Sequence, residues 1–367
     1  MAGRLCLVLF IVLAGSFAGA SEIEDRILDH VDRAAAGGLQ PEDFHHLVFA
    51  FYWRDTTPDH RVVERSLDRL GALTRVDPLM ADELRTMRAR LAAEAGRPAA
   101  SRELFRSMGG LSGWWVTDPV SIGELADFAD LAELPSDNGW RPAQGTDPLG
   151  WVRLSGLAWP AQRQLVFLAT TVVSDREQPV AIRIGAAQAA RVWINGSEVL
   201  TTPRPLERAE DQVSAGAWLR RGTNTIVAAV ASETDDWWLR ARLTAPDGSP
   251  LDGVRESSSA PERTTEPERQ PPEVRDLQDE IRKAVQAGRD EASVALAAYL
   301  VLRRPQAVGA GEARSVCRAA RAEAPGEARI LEWMLTTEQA AVHKLLRDAI
   351  EVEPDLGWAR LELAGWY

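Results

Sequence analysis

Residues 191–200 read RVWINGSEVL, and residues 212–243 read QVSAGAWLRRGTNTIVAAVASETDDWWLRARL. Alternating runs of Val, Ile, Trp and Leu are broken by Asn195-Gly196 and by Gly222-Thr223-Asn224. Asn-Gly between two apolar runs is a strong hairpin signal, because both residues tolerate the positive φ that a type I′ turn needs. Asn195, Gly196, Gly222 and Asn224 are therefore read as structural turn residues. Asn also bonds its own backbone in turns, which makes this reading weightier than a ligand contact. The stretch decides for a β-domain.

Outward from it, the same pattern continues. Nine of the 13 tryptophans fall between Trp114 and Trp238, which marks 111–252 as one β-rich region. Strands are predicted at Trp114–Val116, Gly150–Leu154, Gln164–Val173, Val180–Ile184, Ala190–Ile194, Ala217–Leu219, Thr225–Ala231 and Trp237–Leu243. Short strands separated by Gly, Pro, Asp and Asn predict a β-sandwich or jelly roll, closed on itself so that few edges are left open.

Particular residues carry a family resemblance. ARVWIN at 190–195, with Gly196 and Val199, resembles the hairpin of galactose-binding-like jelly rolls. LRRGTNTI at 219–226 is similar to their Gly-x-Asn turn and following strand, and DDWWLRARL at 235–243 to their last strand. The resemblance covers 111–251. It implies a galactose-binding-like jelly roll, of the kind found in sugar-binding domains and in secreted bacterial proteins that also carry tetratricopeptide-like repeats, often upstream of a transglutaminase-like region. Trp114-Trp115 at its start lacks the Gly-Pro-Phe that often follows Trp in those proteins.

The flanks read as helical. In 21–108, Leu84, Met87, Leu91 and Ala95 form one apolar stripe; Gly96 ends it and Pro98 opens the next helix. Residues 253–272, GVRESSSAPERTTEPERQPP, hold no large apolar residue after Val254 and are expected to be a disordered linker. Helices resume in 273–367, where HKLLRDAIEVEP at 343–354 and DLGWARLELAGWY at 355–367 resemble parts of successive tetratricopeptide repeats. Stacked neighbours are needed to bury such faces, so the array is expected to be truncated at Tyr367. The fold class expected is therefore multidomain, α-helical repeat segments flanking a β-sandwich.

Residues 1–20, MAGRLCLVLFIVLAGSFAGA, have a positive Arg4, an apolar run and a small-residue Ala18-Gly19-Ala20 end. This is a signal peptide, with cleavage expected before Ser21 and a periplasmic or extracellular location. The net charge of −12 argues against a nucleic-acid partner. No membrane span is expected in the mature chain. Of the two cysteines, Cys6 lies in the leader and Cys317 in a helical stretch, where a small buried apolar role is expected.

No catalytic residue emerges. There is no Gly-x-Ser-x-Gly elbow, no Cys-x-x-Cys and no phosphate loop. No cofactor and no metal are expected: His45 and His46 are adjacent, point about 100° apart on a helix, and have no third ligand nearby in sequence. Trp237 and Trp238 are the candidates for stacking on a sugar, with Asp235 and Asp236 as acceptors of its hydroxyls. Only one of the two tryptophans faces the core, since successive strand residues alternate. The function read from the sequence is a non-catalytic exported binding and assembly module, with a protein partner through the helical repeats and a glycan at the jelly roll. The alternative is the N-terminal accessory region of a larger transglutaminase-like or carbohydrate-active enzyme.

Overall fold

A computed structural model describes residues 19–52, 60–123, 139–143, 145–157, 161–202, 208–262, 269–303, 310–336, 339–354 and 356–365. The chain forms two compact units. One combines Met1–Leu84, Leu277–Val301 and Val308–Tyr367; the other combines Arg85–Asp276 and Leu302–Ala307. Most of the expected leader lies outside the described residues, and among these no helix is long and apolar enough to cross a membrane.

The second unit is built on two antiparallel sheets. The larger contains β1 (Trp115–Val116), β2 (Val120–Ser121), β3 (Arg141–Pro142), β5 (Gln164–Ser174), β7 (Ala189–Ile194), β8 (Ser197–Thr201), β10 (Gly222–Ser232) and β12 (Val254–Ser257). The smaller runs in the order β4 (Val152–Arg153), β11 (Trp238–Thr244), β6 (Gln178–Ala187), β9 (Val213–Leu219). β10 lies between β5 and β7. The short strands β2, β1 and β12 divide the other edge of β5 among them, at Gln164–Leu165, Leu168–Ala169 and Thr171–Ser174.

The period of two decides what enters the core. Val166, Leu168 and Val172 of β5 face Ile226, Ala228 and Val230 of β10 and Val192 and Ile194 of β7 on one side. Val180, Ile182, Ile184, Leu239, Ala241 and Leu243 of the smaller sheet complete the filling. The residues between them point outward: Leu165, Phe167, Trp193 and Val227 from the larger sheet, Arg183, Arg240 and Arg242 from the smaller. Asn195 (φ 51°) and Gly196 (φ 83°) make the left-handed turn between β7 and β8 that the sequence predicts.

The stretch expected to be a disordered linker departs from that reading. Val254–Ser257 forms β12, and Glu256 accepts hydrogen bonds from the backbone N–H groups of Ser112 (2.6 Å) and Gly113 (2.9 Å) and from the Ser112 hydroxyl (2.8 Å). The Thr225 hydroxyl donates to the Glu262 carbonyl at 2.8 Å, and Trp218 Nε1 to that of Gln270 at 3.1 Å. A composition with little apolar surface still pairs when a neighbouring strand offers its ladder groups, which is what β5 does here. Residues 263–268 lie outside the described residues.

The first unit is helical: α1 (Gly19–Gly37), a 3-10 turn at Pro41–Asp43, α2 (Phe44–Tyr52), α3 (His60–Gly71) and the start of α4 (Pro78–Glu94), then α6 (Leu277–Gln286), most of α7 (Ala292–Arg303), α8 (Ala310–Ala320), α9 (Pro325–Met334), α10 (Gln339–Val352) and α11 (Gly357–Gly365). Helix α5 (Pro98–Ser107) belongs to the second unit, opened by Pro98 after Gly96 (φ 70°) as the sequence predicts. The two helical segments, expected to flank the sandwich as separate regions, combine in one unit. Phe44 meets Tyr299, and Arg26 pairs with Glu353. The 3-10 turn also packs on α6, and α11 on α1. Cys317 is fully buried there, and burial pushes its thiol up to about 12, as a core role requires.

Candidate functional site

In the β-unit, the candidate sugar platform divides as alternation demands. Trp237 is fully buried in the core, so it is not available to a sugar. Trp238 on β11 faces outward and is half-buried, but the Arg208 guanidinium covers its ring at 4.0 Å and Arg153 lies 5.7 Å from it. Asp235 and Asp236 are exposed. Their loop is held by Gln188, whose amide donates to Thr234 Oγ1 (2.7 Å) and to the Asp236 carbonyl (3.1 Å). Asn195 and Asn224, by contrast, are buried and bonded to each other: Asn195 Nδ2 donates to Asn224 Oδ1 at 2.8 Å, and Thr225 N–H to Asn195 Oδ1 at 3.0 Å. They hold two turns together and offer nothing to a ligand.

A second feature of this unit was not foreseen. Arg183, Arg240 and Arg242, on the outer face of the smaller sheet, are all buried. Asp211 pairs with Arg242 (2.7 Å) and Arg240 (3.3 Å), and Glu210 pairs with Arg90 and Arg303. Arg240 also donates to the Leu149 carbonyl, Arg242 to that of Met108 and Arg183 to that of Arg275. Burial alone would raise both carboxyls. The arginines outweigh it: Arg303, Arg90 and Arg240 for Glu210, and Arg242, Arg240 and Arg183 for Asp211. Both acids are held well below the usual carboxylate range. The alternation in LRARL was the available signal, but only tertiary packing covers the outer face.

The helical unit holds a second polar cluster. His45 and His46 do not diverge as adjacency suggested. Their ring centroids are 3.9 Å apart, and both Nε2 atoms meet one oxygen of Glu291, His46 at 3.0 Å and His45 at 3.4 Å from Oε2. The two rings come together at the N-terminal end of α2. The third member, some 245 positions on in sequence, is Glu291, the residue preceding α7, with φ 60°. Left-handed backbone is uncommon for Glu. Ligand atoms of His45, His46 and Glu291 all lie within 4.8 Å of one another. Arg33 of α1 holds the other oxygen, Oε1.

Behind this trio runs a relay. His46 Nδ1 lies 3.0 Å from His30 Nδ1, and His30 Nε2 lies 3.2 Å from Glu327 Oε1. His45 Nδ1 lies 3.1 Å from the Glu42 carbonyl. Both His45 and His46 are almost wholly buried. Burial holds His45 down at about 4, against the opposing pull of Glu327. Burial, then the neighbouring His45 and His30, hold His46 far below the usual imidazole range. At neutral pH both rings are uncharged and keep a nitrogen lone pair. Burial would raise Glu327, but the hydrogen bond and charge of His30 lower it. A cavity of about 500 Å³ adjoins the relay, with Arg26, His30, Arg33, Glu291, Glu327 and Glu353 in its wall.

No family model matches the sequence, and no curated protein matches it. Among solved structures, a family 35 carbohydrate-binding module from an environmental isolate is similar at 19% identity and a TM-score of 0.20, over 25% of this chain and 71% of that one. A family 35 module from Clostridium thermocellum is similar at 12% and 0.21, over 36% and 92%. The PA14 domain of the antifreeze protein MpAFP is similar at 15% and 0.26, over 42% and 93%. At such low scores no ligand is inferred from these likenesses.

Proposed function

We propose that the chain is an exported, non-catalytic binding and assembly protein, whose β-sandwich contacts a glycan and whose helices, including the tetratricopeptide-like C-terminal pairs, contact protein. The observation that supports a non-catalytic reading of the β-unit is the pairing of its buried carboxyls with arginines. A glycoside hydrolase needs a carboxyl raised enough to donate a proton. Glu210 and Asp211 are pulled the other way and are engaged by arginines. Glycan contact then rests on the exposed Asp235 and Asp236, on a loop held by Gln188, with the uncovered part of Trp238 beside them. Trp237 has no part in it.

Calorimetric titration of the purified chain with soluble xylan and β-glucan tests this reading. Binding without release of reducing ends is expected, and Asp235→Ala with Asp236→Ala should abolish it at an unchanged melting temperature. Release of reducing ends would overturn the non-catalytic reading. No binding to either polymer, or equal binding by the double variant, would remove the proposed glycan site.

A further inference from the structure

The tautomer of His45 follows from a neighbour that can only accept. The Glu42 carbonyl accepts and cannot donate, so the hydrogen of neutral His45 sits on Nδ1. Its Nε2 is then a bare lone pair, fully buried, with no hydrogen-bond partner, aimed at Glu291 Oε2. The Glu327 carboxylate accepts, so His30 Nε2 donates to it, and His30 Nδ1 stands 3.0 Å from His46 Nδ1. His46 Nε2 faces the same Glu291 oxygen at 3.0 Å. Two imidazole nitrogens, one of them unpartnered, and one carboxylate oxygen converge here, with Arg33 on the carboxylate's other oxygen.

We propose that His45 Nε2, His46 Nε2 and Glu291 Oε2 bind a divalent transition-metal ion, with Zn²⁺ the best match. Two imidazoles and a carboxylate are borderline donors suited to zinc. Atoms bound ~2.0–2.2 Å from a tetrahedral ion stand ~3.3–3.6 Å from each other. The 3.4 Å between His45 Nε2 and Glu291 Oε2 falls in that range, and the 3.0 Å at His46 falls just short of it.

The surroundings are those of a metal centre. Ligating histidines usually donate their other N–H to a carbonyl or a carboxylate, which fixes ring and tautomer. His45 donates to the Glu42 carbonyl, and His46 reaches Glu327 through His30. Arg33 holds Glu291 Oε1, which orients the carboxylate and leaves Oε2 to the ion. Glu291 is 24% exposed, which gives the ion a way in. Three protein ligands leave a fourth tetrahedral position for water or an exogenous donor. The ion would join residues 45–46 to residue 291, and so clasp the two helical segments that make up the unit. This inference does not depend on polysaccharide binding by the β-sandwich.

The test uses the full chain, stripped with chelator and titrated with Zn²⁺ or Co²⁺ alone. One ion per chain is expected, with visible Co²⁺ d–d bands of a four-coordinate site and a higher melting temperature with metal than without. His45→Asn keeps a donor where Nδ1 stood and removes Nε2; Glu291→Gln removes the charge. Each should weaken binding about a hundredfold or more, and Glu327→Gln, which touches only the relay, about 10–100-fold. The metal-free melt of each variant shows whether it folds; a variant with the parent's metal-free melt and no d–d bands supports the assignment. No stoichiometric binding by the stripped parent overturns it, as does binding unchanged in both His45→Asn and Glu291→Gln.

Discussion

The two units each bury a polar cluster, and the clusters differ in closure. Around Asp211 and Glu210 each acid is matched by at least two guanidinium groups, and the arginines also bond backbone carbonyls of Met108, Leu149 and Arg275. Around Glu291, two imidazole nitrogens meet a carboxylate oxygen with no hydrogen between His45 and it. A buried polar group left unpaired costs about 1–3 kcal/mol, so chains tend to retain one where something else fills the gap. A closed cluster of charges is architecture; an open one is a receptacle. The difference lies in the sum of donors and acceptors, since both clusters are deep and both contain acids with perturbed ionisation.

If that distinction holds, the closed cluster should be the costlier to break. Asp211→Ala leaves Arg240 and Arg242 buried without their nearest counter-charge, which typically costs about 3–5 kcal/mol. Denaturant unfolding followed by tryptophan fluorescence reports on the β-unit, where nine of the 13 tryptophans lie. A loss under about 1 kcal/mol, the range of an exposed pair, would mean that the cluster is wet and contributes little.

Protons break the same cluster by degrees. Glu210 and Asp211 are depressed below their ordinary values of 4.5 and 3.8. The unfolded chain therefore takes up protons first, and the stability from these groups is fully present above about pH 4.5 and lost as pH falls below it toward the lower folded values. Unfolding midpoints measured from pH 6 down to pH 3 should drop over the lower part of that range. An Asp211→Ala chain should show a shallower drop; the same slope in both would place the titration elsewhere.

The smallest effect is expected where the polar pair is closed but neutral. Asn195→Gly keeps the left-handed turn yet removes the bonds to Asn224 and to the Thr225 N–H. A cost of about 1–3 kcal/mol is expected, since buried partners are left unpaired. Turn formation alone would predict almost no cost for Gly. Gly196→Val, strained at φ 83°, should cost about 1–3 kcal/mol as well. A melt of Asn195→Gly equal to the parent's would return Asn195 to the role of a plain turn residue.

Much of the β-unit was legible in the sequence because its signals are local. All eight predicted strands overlap observed ones, and the turns at Asn195-Gly196 and Gly222 have the positive φ that their residues announce. Of the observed strands outside that list, Ser197–Thr201 is the second arm of the predicted hairpin, and Val120–Ser121, Arg141–Pro142 and Val254–Ser257 are short or polar and pair along edges of β5 or β1. Of the candidate site residues, alternation foretold that one of Trp237 and Trp238 would be lost to the core. It did not foretell Arg208, 30 positions away, lying over the other.

The sequence by itself determined the sandwich strands, the hairpin, the helix starts at Pro98 and the burial of Cys317. Each depends on residues within one or two turns of chain, where sterics and periodicity act directly. Tertiary structure alone decided that the helical segments before and after the sandwich make one unit, and that Glu291 meets His45 and His46. Adjacent histidines on an isolated helix diverge by about 100°. Which way their rings finally turn is set by carbonyls, carboxylates and neighbouring rings that only folding brings within hydrogen-bond range, and no spacing in the sequence records those distances.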